Sequence, residues 1–172
     1  MTKMTGFSLY ELLVVCALLS ILIGMAMPAC FSWRKEAEYR ATARAFLGAL
    51  REARQRAITT MLEHRVEFDL DNGRYRMTHG DRANNSSAAS WDQNVVYDWD
   101  DFPPEVLVRS LSTCSKSTGM ENIHLNPNGT SSSRYVCVMN WSVQRKFRVG
   151  VPYSTTGKAV IKRWNPATDA WE

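Results

Sequence analysis

The sequence predicts an α+β chain in which one long N-terminal helix precedes, and packs on, an antiparallel β domain. Three observations carry this reading. From Phe7 to Phe31 there are 25 residues with Glu11 as the sole acid and no Lys, Arg or His. After Trp33 apolar residues recur at steps of three and four as far as Met61, the period of an amphipathic helix. From Val66 onward the period changes to two, with turn residues between the alternating runs.

As a helix, the first run is about 37 Å long at ~1.5 Å per residue, enough to span a bilayer, so a membrane helix is predicted over 7–32. Glu11 is then the anomaly, because an unpaired charge in hydrocarbon costs at least ~2.5 to 3.5 kcal/mol. Either the segment is a signal anchor with an incidental Glu, or the carboxylate has a partner outside its own chain. Gly24 and Pro28 predict a kink or an unwound stretch, since proline removes a backbone donor and crowds the preceding turn. Cys16 and Cys30 lie 14 residues apart, about 21 Å along a continuous helix and beyond disulfide reach, so they read as small apolar fillers.

The second half of the helix, 33–63, carries Tyr39, Ala43, Phe46, Leu50, Ala53, Ala57 and Met61 on one stripe. A stripe this rich in Ala suits a helix lying close to a sheet. Arg40, Arg44, Arg51, Glu52, Arg54 and Arg56 fall on other faces. They read as a solvated surface or as lateral contacts to acidic faces of neighbouring subunits.

The β region, 64–172, opens with a hairpin: Val66, Phe68 and Leu70, then Asp71-Asn72-Gly73 at the turn, then Tyr75 and Met77. Gly80 to Ser90 reads as a loop, Trp91 to Phe102 mixes acids with aromatics, and Pro103-Pro104 forces an extended break before a strand at Val106 to Leu111. A second hairpin is predicted from Ile123–Asn126 and Arg134–Trp141 around Pro127-Asn128-Gly129-Thr130. Phe147, Val149 and Val151 alternate with polar residues, Ser154 to Gly157 turn, Lys158 to Trp164 run back, and a short turn is expected around Asn165-Pro166.

The net charge of +4 says less than its distribution. Five acids and no Lys or Arg lie between Ala83 and Val108, whereas Asn122 to Thr168 hold seven Lys or Arg and no acid, so the domain should be electrically two-sided. No nucleophile elbow, phosphate loop or metal-ligand spacing appears, and His64, His79 and His124 sit in unrelated segments, so no enzyme, metal or cofactor is expected.

The leader Met1-Thr2-Lys3-Met4-Thr5-Gly6 runs straight into Phe7-Ser8-Leu9-Tyr10-Glu11 and the apolar core. This arrangement resembles the class III signal of prepilins. The segment His124-Leu125-Asn126-Pro127-Asn128-Gly129-Thr130, with Arg148-Val149-Gly150-Val151 and Thr156-Gly157-Lys158-Ala159-Val160, is similar to the C-terminal pattern of the GspH/FimT group of minor pseudopilins and minor pilins. Residues 80–120 match nothing in that pattern.

The resemblance implies a type IV pilin-like fold and cleavage after Gly6 by a prepilin peptidase, with N-methylation of Phe7. It further implies pairing of the new amine with Glu11 of a neighbour in a type IV pilus or type II secretion filament. The expected partners are other pilins or pseudopilins through the helix, the peptidase and the inner membrane. The location expected is a single pass through the bacterial inner membrane with a periplasmic domain, since Lys3 marks the cytoplasmic side. An oxidising compartment favours a Cys114–Cys137 bridge over two free thiols. Some FimT-like proteins bind DNA through a Gly-Arg-x-Arg motif, matched here at Gly157 and by charge at Lys158. With Arg145, Lys146, Arg148, Lys162 and Arg163 on neighbouring strands, DNA is the alternative partner and a solvated sheet face the plainer reading.

Overall fold

The structure, a computed structural model, describes residues 9–111 and 113–172, and the side chains of 25–30 are not described. Gly6 and Phe7 lie outside the described residues. Two compact units are present, Met1–Ala37 and Glu38–Glu172. Helix α1, Leu9–Thr60, begins in the first and ends in the second. It is helical through Gly24 and Pro28, so the predicted unwound stretch is not found.

In the second unit the predicted stripe is buried at Tyr39, Ala43, Phe46, Leu50, Ala53 and Ala57. Met61 departs from it. It follows the end of α1 with φ 56° and is largely exposed, because a left-handed residue there turns the chain out of the helix toward the first strand.

The first sheet has the order β3 (Val95–Asp101), β2 (Arg74–His79), β1 (His64–Asp69), β5 (Met120–Leu125), and all its pairs are antiparallel. Strands β1, His64–Asp69, and β2, Arg74–His79, form the predicted hairpin with Asp69 opposite Arg74. The Asp69 carboxylate accepts from the Asn72 amide at 3.2 Å and from Arg74 Nε at 3.1 Å, and Gly73 supplies the positive φ of 65°. Leu70 sits in the turn, still packed on the core.

A short helix α2, Ala88–Gln93, begins within the expected loop, runs past it and is fastened by the buried Trp91. Strand β3, Val95–Asp101, then pairs with β2 as the sheet's edge.

The second sheet runs β4-β6-β7-β8-β9: Leu107–Ser110, Tyr135–Met139, Arg145–Gly150, Val160–Asn165 and Ala170–Trp171. The predicted hairpin across residues 127–130 is not formed. Strand β5, Met120–Leu125, pairs with β1, while β6 pairs with β4 and β7, so the connection passes from one sheet to the other. The turn itself is tight, with the Asn126 amide donating to the Thr130 carbonyl at 2.9 Å. The Ser131 amide then donates to the Ser154 carbonyl at 2.7 Å, committing the chain to the second sheet. Trp164 to the end forms a small β8–β9 ladder, Trp164 opposite Trp171, where only a turn was expected.

The inner faces of both sheets close on α1. Phe46 is fully buried and meets Phe68, Tyr75 and Phe102 edge-on at 5.1, 5.2 and 5.4 Å. The sheets are also joined by Glu121 of β5. Its buried carboxylate accepts from Ser110 Oγ of β4 at 2.9 Å, Lys116 Nζ at 3.2 Å and Arg134 Nη1 at 2.7 Å. Burial pushes this carboxyl up, but the three donors outweigh it and hold it below the usual range.

The expectation of a single pass through the inner membrane is not met: among the described residues no helix is long and apolar enough to cross a membrane. Glu11 stands within the apolar part of α1, where a charge is costly in hydrocarbon. The inner-membrane anchor and the periplasmic placement of the domain that rested on it are withdrawn.

Candidate interaction surface

The described side chains of the first unit present an apolar surface. Leu9, Leu12, Leu13, Leu18, Leu19, Ile21, Leu22 and Ile23 are all more than half exposed. A helix that is apolar on every side is stable only when surrounded, and a patch of this extent marks an interaction site. Glu11 lies exposed among these apolar side chains, and among the described residues it has no ion pair, so its carboxylate can receive a cation brought by another chain.

The six basic residues of the sequence reading do not make one patch. Three lie on the face of the second sheet turned away from α1, and each is engaged. Arg145 stacks 4.6 Å over Trp164, and Arg148 is sandwiched 4.4 Å from Tyr135 and 4.8 Å from Trp171. Lys162 Nζ, opposite Arg148 in the register, donates to the Trp171 carbonyl at 3.4 Å. Burial holds the Arg148 guanidinium below the usual arginine range.

The other three face α1. Lys146 sits 5.8 Å over Tyr39, Lys158 shares a cavity with Arg51 and Arg54, and Arg163 shares one with Arg40, Arg44 and Arg51. Antiparallel pairing explains the division: Arg163 opposes the buried Phe147, whereas its neighbour Lys162 opposes Arg148 on the far face. A bulge between Val138 and Met139 changes the alternation at Arg145 and Lys146.

Gly157 has φ 55°, and a Cβ there would stand 2.4 Å from the Gly129 carbonyl oxygen, so the 154–157 turn rests directly on the 127–130 turn. In this chain Gly157 serves packing, with Arg54 beneath both turns.

The predicted Cys114–Cys137 disulfide is present, with Cα atoms 5.7 Å apart, and Cys114 and Cys137 pack with Met139, Leu107 and Trp171. Cys16 is a free exposed thiol.

The histidines converge at one end of the first sheet, contrary to the expectation of unrelated segments. His64 opposes His79 with ring centroids 5.7 Å apart, and His124 opposes Arg65 on the neighbouring strand. Their ring nitrogens are engaged locally: His64 with the Leu62 carbonyl at 3.1 Å, His79 with the Gly80 carbonyl at 2.9 Å, His124 with Glu63 Oε1 at 2.8 Å. Among the described residues no group of His, Cys, Asp and Glu is placed to hold a metal ion.

The predicted two-sidedness is borne by the edges that flank α1. Asp98 and Asp100 of β3 line one groove beside it, and Arg163 of β8 lines another. The sequence reading missed β3, whose Trp99 lies 4.4 Å from Arg74 and 4.5 Å from Arg76. The alternation of aromatic and acid at Tyr97-Asp98-Trp99-Asp100 was the signal available.

No family model and no curated protein matches the chain. Solved structures do. A structure of the minor pseudopilin EpsH from the type 2 secretion system of Vibrio cholerae superposes with a TM-score of 0.51 at 12% identity, covering 75% of this chain and 98% of that one. A crystal structure of the same pseudopilin gives 0.53 at 11% identity, covering 73% and 94%. At 11 to 12% identity the likeness speaks for architecture alone. The chain has the minor pseudopilin fold.

Proposed function

We propose that this protein is a structural subunit, a minor pseudopilin or pilin of a type II secretion or type IV pilus filament, that assembles through the first part of α1. The observation that carries the reading is the exposed apolar surface from Leu9 to Ile23 with Glu11 on it, joined to the minor pseudopilin fold. Neighbouring helices would bury that surface at ~25 cal/mol per Å² of apolar area. Cutting after Gly6 by a prepilin peptidase would free the amine of Phe7 four residues ahead of the carboxylate. An amine of one subunit on Glu11 of the next contributes up to ~4 kcal/mol at 4 Å where the effective dielectric constant is ~20. It does so only in the correct register, so the pair sets the stacking.

The test is incorporation. Glu11→Leu keeps the apolar helix and removes the acceptor; co-expressed with the filament machinery, it should be produced at normal level but be depleted from sheared filaments. Wild-type incorporation would refute the role of Glu11. The division of the six basic residues between two faces gives the DNA-uptake alternative no support.

A further inference from the structure

Helix α1 carries grooves of opposite charge on its two flanks. Gly48 stands on the crest and lines both. On the β8 side lie Arg40, Arg44, Arg51 and Arg163, with Glu172 the one acid, around a cavity of about 600 Å³. On the β3 side lie Glu52, Asp98 and Asp100, with Arg76 the one base, around a cavity of about 560 Å³.

The charges that matter are those left over within the chain. Arg76 is held by Glu67 and Asp92, and Glu52 by Arg56 and Tyr97. Asp98 takes only the Trp99 amide at 2.8 Å, and Asp100 the Tyr75 hydroxyl. Among the described residues Arg40, Arg44 and Arg51 have no ion pair or hydrogen bond. Three uncompensated guanidinium groups along one helix flank repel one another and seek an acid from outside.

We propose that the basic groove seats the β3 edge of a second copy of this chain, with Asp98 and Asp100 of one copy on Arg40 and Arg44 of the next and Arg51 completing the wall. Both halves of the contact are on this molecule and their spacing agrees. Residues four apart on a helix are separated by ~6 Å of rise, and residues two apart on a strand by ~6.8 Å. Strand β3 is the free edge of its sheet, so its outer margin is open to a partner. Because donor and acceptor surfaces lie on opposite flanks of one helix, the contact is heterologous and propagates side by side instead of closing into a two-fold dimer. It extends the proposed subunit role and rests on it only in taking copies to stand next to one another. Exposed ion pairs are individually weak, so the contact acts between copies already held close.

The test is site-specific cross-linking of the full-length chain in detergent, with Cys16→Ser and Cys30→Ser to silence the other thiols. Arg44→Cys in one population and Asp98→Cys in another, mixed and oxidised, should give a mixed disulfide about tenfold above a control pair placed on the far face of the second sheet. The yield should fall several-fold at about 1 M salt, where the Debye length is ~3 Å. Adding Arg40→Glu to the first population should suppress the cross-link, and Asp100→Arg in the second should restore it. All four positions are exposed, and unchanged thermal melts confirm that each variant folds. A yield equal to the control, no rescue by the charge swap, or a cross-link that short duplex DNA displaces would each overturn the proposal. Chains that enter filaments without cross-linking refute the lateral contact alone; chains that cross-link but never enter filaments refute the assembly reading alone.

Discussion

Replacing Phe46 by Ala tests how α1 is held to the sheets. The ring is fully buried and lies edge-on to Phe68, Tyr75 and Phe102, all within 5.4 Å. Truncating a buried Phe costs about 3 to 5 kcal/mol through lost transfer energy and the cavity left behind. Three aromatic partners at ~0.5 to 1.5 kcal/mol each place this site at the upper end of that range. The unit concerned, Glu38–Glu172, has an unfolding entropy of roughly 0.28 kcal/mol/K at ~2.1 cal/mol/K per residue. A loss of about 5 kcal/mol then lowers Tm by about 18 °C, a large share of the 5 to 15 kcal/mol typical of a domain. Phe46→Leu keeps most of the volume and should lose only about 1 to 1.5 kcal/mol. The assay is thermal and urea melting of the full-length chain in detergent, followed by circular dichroism. A Phe46→Ala loss below about 1 kcal/mol would show that α1 is not seated in the core as described.

Three further outcomes follow from the same packing. Cys114→Ser should cost about 3.5 kcal/mol in the chain-entropy account of a 23-residue separation, read as a Tm drop that reductant reproduces in the wild type. Glu121→Gln should lose about 1.5 to 3 kcal/mol at pH 7. Because the folded carboxyl is held low, its contribution is present above the unfolded pKa of about 4.3 and lost as pH falls through the folded value, so mutant and wild type should converge in acid. Burial lowers the pKa of His64, so stability should fall as pH drops below about 6.5 toward the folded value, and His64→Phe should flatten that segment while leaving the acid limb intact. A pH profile unchanged by the substitution would refute the burial argument.

The parts of the fold legible in the sequence are those where one periodicity decides. The α1 stripe reads correctly because a helix on two sheets must bury one face, and Tyr39 to Ala57 do so in the predicted order. The β1–β2 hairpin reads correctly because Asn72-Gly73 leaves one turn geometry. Strand β3 escaped because it is an edge with both faces partly wet, so no buried apolar face marks it and only the alternation of its aromatics and acids remains. The β5–β6 error came from treating a tight turn as proof that its flanks pair. The turn forms, but β1 offers β5 a complete ladder from His64↔Leu125 to Asp69↔Met120, and β6 is taken by β4 and β7. Basic residues near one another in sequence were read as one patch, yet successive strand residues point to opposite faces, and the bulge at Met139 moved Arg145 and Lys146. The disulfide was reached through a compartment argument that depended on the withdrawn membrane pass, and it stands now on its own geometry.

The proposed assembly requires Glu11 to meet an amine that exists only after cleavage beside Phe7. Intact mass and N-terminal peptide sequencing of the chain recovered from filament-producing cells address this directly. The account predicts a polypeptide beginning at an N-methylated Phe7, and that Gly6→Val leaves the uncut chain, excluded from filaments. A mature chain that begins elsewhere, or a Gly6→Val chain that enters filaments at the wild-type level, would contradict it.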